Sequence, residues 1–201
     1  MRLTTPPQVD NTRELQNVAE REAAAGETAI RDSLVEINEA YAAFEETKAN
    51  PWALSENTTI SDRAKKVLKV RYKSARVNSL EFIKDLRSSF STDFCLMCGG
   101  YGNGSLDHYL PQSMYPEFAI YSNNLVPACN CNSLRGNRIM DENGDGRIIH
   151  PYYDLFLEEQ LYVVRFNGGF REPSISIDLL NPNHVLKDIF QYHLNNVILR
   201  T

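Results

Sequence analysis

Apolar residues recur at three- and four-residue steps along the front of the chain and fall into alternation only towards its end, which predicts a helical front and a smaller mixed rear. After a lead-in at residues 1–10, where Pro6-Pro7 removes two backbone donors, residues 11–48 read as helix, rich in Ala and Glu and interrupted at Gly26. Ile30, Leu34, Ile37, Tyr41 and Phe44 form one stripe on its second half, the pattern of a helical hairpin or of an arm laid against a partner. Asn50-Pro51 ends this region, and Ser61-Asp62 makes a cap for a third helix that carries Val67, Leu68, Val70 and Tyr72. Another helix is expected over 79–90. Gly, Asn, Pro and Ser then dominate, so loops and short strands should follow. Alternation returns at 147–150, 161–166 and 174–180, the last two joined through Asn167-Gly168-Gly169. A closing helix over 183–199 presents Val185, Leu186, Ile189, Phe190, Leu194 and Val197 as a core face. The expected class is α+β: a helical region over 1–90, a compact core over 91–154, and a β-hairpin with a helix over 155–201.

Composition adds that 201 residues at 42% apolar content suffice for a buried core. No apolar run reaches the roughly 18 residues of a membrane span, and the first residues lack the apolar segment of a secretion signal, so a cytoplasmic protein without a membrane partner is expected. The net charge of −5 argues against a generally basic coat, but its distribution is uneven. Residues 1–60 hold 5 basic and 11 acidic side chains, whereas 61–76 hold 7 basic and 1 acidic. Those seven are Arg63, Lys65, Lys66, Lys69, Arg71, Lys73 and Arg76. They read either as a solvated helix face or as a surface that tracks phosphates.

Four cysteines fall in two close pairs, Cys95-x-x-Cys98 and Cys129-x-Cys131. So few in a chain this long make a poor disulfide framework, and the pairing points to thiolate ligation in a reducing compartment. Zinc takes four tetrahedral ligands, and a Cys-x-x-Cys knuckle supplies two from one turn, here eased by Gly99-Gly100. Such a closed site would be structural, stabilising a loop-rich region with little core of its own. The plainer reading makes Cys129 and Cys131 small buried apolar residues.

Between the pairs lie Asp107, His108 and Asn124, with Asn132 just after. Hydrolysing a phosphodiester calls for a base to activate water, a divalent cation to neutralise developing charge, and a group that fixes the tautomer of the base. Taken singly, His108 would be a satisfied core histidine and Asn124 a turn former. Taken together, Leu106-Asp107-His108-Tyr109-Leu110-Pro111-Gln112-Ser113, Asn123-Asn124-Leu125-Val126-Pro127-Ala128-Cys129 and Cys131-Asn132-Ser133-Leu134-Arg135-Gly136-Asn137 resemble the HNH endonuclease family, with its ββα-metal, treble-clef-like core, in the variant whose first strand follows a Cys-x-x-Cys. The resemblance covers residues 94–137.

The resemblance implies that Asp107 ligates a catalytic Mg2+ or Mn2+, that His108 is the general base, and that Asn124 braces the loop and orients His108. Asn132 would stand where the family places its final ligand. The second cysteine pair is one residue shorter than usual, so Asn137 competes with Asn132 for that place. It further implies a DNA substrate and little sequence choice, since phosphate contacts position without specifying. The acidic helical front suggests a protein partner, and the family is compatible with the nuclease subunit of an anti-phage defence system beside an ATPase. Self-association through the N-terminal helices is the other expectation. Competing classes are a non-catalytic zinc-stabilised module that grips nucleic acid or protein, and an RNase or toxin nuclease with the same site.

Two further signals need weighing. Asp141-Glu142-Asn143-Gly144-Asp145-Gly146 opens like a calcium loop, but Tyr152 stands where a bidentate Glu is required, so a turn is the better account. His150 reads equally as a contact near the site or as a strand cap, while His184 and His193 read as structural.

Overall fold

The computed structural model describes residues 1, 3–74, 80–89, 94–102, 105–169 and 171–200. Arg76 lies outside them. The expected interruption at Gly26 separates α1, Asn11–Ala24, from α2, Leu34–Thr47, with Gly26 itself at φ +86°. The α2 stripe is buried as its spacing requires: Ile37 and Phe44 are fully enclosed and Tyr41 nearly so. This helix ends without a glycine. Lys48 and Ala49 both take left-handed φ values, and the Ala49 amide reaches back to the Phe44 carbonyl at 2.9 Å, closing the last turn. Helix α3, Asp62–Lys73, starts where its cap predicts, the Ser61 hydroxyl accepting from the Ala64 amide at 3.2 Å. Helix α4 is Glu81–Ser89.

Among the described residues, two antiparallel ribbons complete the α+β architecture. Strands β1, Ser105–His108, and β2, Leu125–Ala128, pair with Asp107 opposite Val126 and His108 opposite Leu125. A short helix α5, Cys131–Arg135, follows β2 almost directly. Strands β3, Tyr162–Asn167, and β4, Ser174–Leu179, form the expected hairpin, and α6, Lys187–Asn196, closes the chain. Two expectations require correction. Residues 147–150 form no strand but a single bridge, Arg147 opposite Met140. The closing helix is shorter than its apolar pattern suggests, and Val185, which precedes it, is 89% exposed rather than in the core.

One continuous apolar cluster runs from Leu15 on α1 through α2, α3 and α4 to Leu106, Leu125, Cys131 and Tyr152. The helical front and the short-strand region therefore share a core. Polar ties reinforce it: the Glu45 carboxylate on α2 accepts from the Tyr121 and Tyr153 hydroxyls and the Asn123 amide. A smaller cluster of Ile149, Leu157, Leu161, Ile189 and Phe190 holds α6 and the base of the hairpin. Among the described residues no helix is long and apolar enough to cross a membrane.

Candidate metal centre and active site

The cysteine knuckle is built by backbone bonds. The Cys95 amide donates to the Gly100 carbonyl at 2.8 Å and the Gly99 amide to the Cys95 carbonyl at 2.9 Å. Gly99 stands at φ +76°, and a Cβ there would come 2.6 Å from the Met1 nitrogen, so both conformation and space demand glycine. The second pair sits where β2 hands over to α5. This handover brings all four sulfurs within 4.8 Å of one another. The Cys95–Cys131 and Cys98–Cys129 sulfur separations are each 3.5 Å, far beyond the ~2.05 Å of a disulfide and near the ~3.8 Å edge implied by tetrahedral Zn–S bonds of about 2.3 Å. The donor set fits a zinc ion.

Amide donors already favour thiolate there, the Cys129 amide reaching Cys95 Sγ and the Cys131 amide reaching Cys129 Sγ, each at 3.3 Å. Hydrogen bonds from Cys131 and Cys98 hold the Cys95 thiol well below its ordinary range, and the Cys131 thiol is pushed far up by its contact with Cys95. A bound dication would favour thiolate at all four sulfurs. His193 anchors the knuckle from α6: its Nδ1 accepts from the Ile149 amide and its Nε2 donates to the Met97 carbonyl at 2.8 Å.

Asp107 and His108 are neighbours on β1 and so point to opposite sides of the ribbon, yet both border one hollow of about 470 Å3, because the strand bends directly after His108. Asn132, Asn137, Gln112 and Tyr72 border it as well. His108 Nε2 lies 3.0 Å from the Ala119 carbonyl. A carbonyl can only accept, so Nε2 carries the proton and Nδ1 is the basic nitrogen. Burial drives the histidine down to about 4, with the Arg135 and Arg87 charges adding to the effect and the Ala119 bond opposing it. At neutral pH the imidazole is neutral.

Asn124 holds the segment that supplies this carbonyl. Fully buried, it accepts from the Leu110 amide at 2.7 Å and donates to the Leu110 and Phe118 carbonyls at 3.0 and 3.2 Å. The Asn124 side chain therefore ties Leu110, just after β1, to Phe118, the residue before Ala119. Asn124 itself does not border the hollow.

Asp107 is not idle. Arg135 Nη2 donates to both of its oxygens, at 2.9 and 3.1 Å, and to the His108 carbonyl at 2.9 Å, while Nη1 reaches the Arg138 carbonyl. Both side chains are almost wholly buried. Burial raises the Asp107 carboxyl above its usual range, against the pull of the Arg135 guanidinium. A divalent ion on Asp107 would share the carboxylate with this guanidinium. Asp107 and the Asn132 amide are the oxygen donors that border the hollow, the ligand type a hard divalent ion takes.

The structure thus brings Asp107, His108 and Asn132 to one hollow, with Asn137 also on its edge and more exposed than Asn132. It puts His150 elsewhere. That ring is fully buried, 4.1 Å from Tyr109, with Nδ1 accepting from the Tyr152 amide and Nε2 completing no hydrogen bond. The calcium-like segment is a turn in which Asp141 accepts from the amides of Gly144, Asp145 and Gly146.

The basic helix divides by function. Arg63 and Arg71 pair with Glu27 and Glu22 and bind α3 to the helical front. Lys66, Lys69 and Lys73 recur on one turn-spaced face, with Lys66 and Lys73 exposed; Lys65 is half-buried. Three site residues escaped the sequence reading: Arg135 on Asp107, Tyr72 with its ring 4.3 Å from that of His108 and its hydroxyl on the Leu106 carbonyl, and Arg87 of α4 over the Tyr72 ring at 5.6 Å. Only Arg135 had a signal available, a basic residue four places after a ligand cysteine at the end of a helix.

Against known proteins, the chain is 36% identical over 83 residues to Protein ea31 of Escherichia phage lambda, a match over 39% of this chain and 28% of that protein. The chain therefore covers well under half the length of that relative. No family model matches, and no solved structure matches.

Proposed function

We propose that the protein is a metal-dependent endonuclease of HNH type that hydrolyses phosphodiester bonds in DNA. The observation that carries this reading is a neutral His108, held with Nε2 on the Ala119 carbonyl and Nδ1 as its basic nitrogen, beside Asp107 and Asn132 in one hollow. His108 takes the proton of the attacking water. Ala119 fixes the tautomer and shares the positive charge that develops on the ring, and Asn124 keeps Ala119 in place. Asp107 with Asn132 would hold Mg2+ or Mn2+, which when bound neutralises charge on the phosphate and leaving oxygen. Lys66, Lys69 and Lys73 grip backbone phosphates without choosing sequence. Cys95, Cys98, Cys129 and Cys131 would hold a zinc ion, which would tie the end of β2 to the start of α5, the helix that carries Asn132. Targeting belongs to a partner, for which an ATPase subunit of an anti-phage system is the candidate.

Incubation with supercoiled plasmid in Mg2+, Mn2+ or EDTA tests the reading: nicked or linear product should appear with metal alone and vanish in His108→Ala and Asp107→Ala. One observation favours a second reading. The Arg135 guanidinium already satisfies Asp107, which is what a non-catalytic zinc-stabilised binding module would need, and DNA binding without cleavage under any metal would select it. Cleavage of RNA but not plasmid would select the ribonuclease form.

A further inference from the structure

Away from the Asp107–His108 hollow, a second one of about 350 Å3 opens between α2, the segment 53–59 and the turn carrying Glu117 and Phe118. Its chemistry has one sign. Glu36, Glu39 and Glu56 stand around it, half-buried or exposed, and Glu117 borders it while only 1% exposed. The Glu117 Oε2 atom is buried and has no hydrogen-bond partner. A carboxylate oxygen in that position either gives up its charge or waits for a donor from outside, since burying it unpaired is costly. Lys65 acts on Glu117 through space without forming an ion pair with it.

We infer that this hollow receives the guanidinium of an arginine side chain on a partner polypeptide. A metal ion is the poorer occupant: among the described residues, only the four cysteines form a set of three or more acidic, histidine or cysteine ligands close enough to share an ion. Carboxylates spread around a mouth suit a planar fork with five donors. The walls contributed by Ala40, Ala43, Leu54 and Phe118 suit the apolar stem of a long cationic side chain. The volume is at the small end of ligand cavities, about 300–1,000 Å3, and matches one inserted side chain. The surrounding front of the chain is acidic, with 11 acidic against 5 basic residues in 1–60, which steers a basic segment towards the hollow. The inference stands independently of the nuclease reading, because it uses none of the residues of that site.

Nuclear magnetic resonance on the full zinc-loaded chain tests it, with N-acetyl-arginine-N-methylamide as probe and the isosteric citrulline derivative as the uncharged control. Saturable shifts are expected at the amides of Asn57, Glu117 and Phe118, with about tenfold weaker binding for citrulline and for Glu117→Gln. Equal binding of citrulline, unchanged affinity in Glu117→Gln, absence of saturable shifts, or tighter binding of spermidine or Mg2+ at the same amides would overturn the assignment. Should Glu117→Gln fail to fold, the double variant of the exposed carboxylates, Glu39→Gln with Glu56→Gln, must show the same weakening.

Discussion

The β1–β2 and β3–β4 ribbons are built alike and used in opposite ways. The β1–β2 ribbon has four residues per strand, seven of its eight positions buried, two of them charged or titratable. The β3–β4 hairpin has six per strand and buries none, turning Val164, Phe166 and Ile175 to solvent on the face where Val164 opposes Ile177 and Phe166 opposes Ile175. The shorter ribbon is the more specified. Asp107 and His108 are almost wholly buried beside their hollow, so most of their polar atoms must meet a protein partner or forfeit a hydrogen bond. The longer ribbon makes its ladder bonds and packs at its base, through Tyr162 and Leu179, against the cluster that holds α6. Regular structure is therefore a poor guide to the candidate site of this molecule, and buried polarity is the better one.

That contrast can be tested in order of expected size. Removing zinc with a chelator, or replacing Cys95 with Ser, should cost the β1–β2 region its fold, since structural zinc contributes on the order of 10 kcal/mol to small metal-dependent folds. Circular dichroism beside elemental zinc analysis measures this. A metal-free chain that melts like the loaded one would show that the short ribbon stands unaided.

The two ribbons also hold one arginine–aspartate pair each. Arg135→Ala strands Asp107 in the interior and should destabilise by about 3–5 kcal/mol, whereas Arg165→Ala breaks the exposed pair with Asp178 and should cost about 0–1 kcal/mol. Denaturant midpoints that fall together for both variants would erase the distinction.

His108→Ala should lower plasmid cleavage by about 10²–10⁴ with zinc content unchanged. On the proposed nuclease reading the sign of the pH effect follows from the lowered histidine: Nδ1 is available above about 4, so the rate should show no acid limb near 6.5 and fall only as pH approaches 4. A midpoint at 6.5 in the pH–rate profile would mean that the ring is solvated. Smallest of all, Phe166→Ser on the hairpin should stay within about 0.5 kcal/mol of the parent, and a larger loss would mean that this face is covered in solution.

Much was legible in the chain because it is local. The Ser61 cap, the stripe from Ile30 to Phe44, the hairpin turn and the two cysteine pairs are each fixed by residues within a few turns of one another, where backbone preference and periodicity act directly. Pattern failed where tertiary burial outranked it. Residues 147–150 alternate like a strand but spend Ile148 and Ile149 on core contacts, and Val185 keeps helical spacing with nothing above it to cover it.

What the sequence settled alone is the inventory of donors: four thiols in knuckle spacing, an aspartate beside a histidine, and amides placed to follow them. Only the folded chain decided who meets whom. Arg135 reaches Asp107 across 28 positions, Tyr72 and Arg87 close on His108 from other helices, and Glu117 is left with an oxygen facing no partner. Those outcomes depend on how helices and ribbons dock, and docking answers to the burial of the whole apolar set rather than to any short stretch of residues.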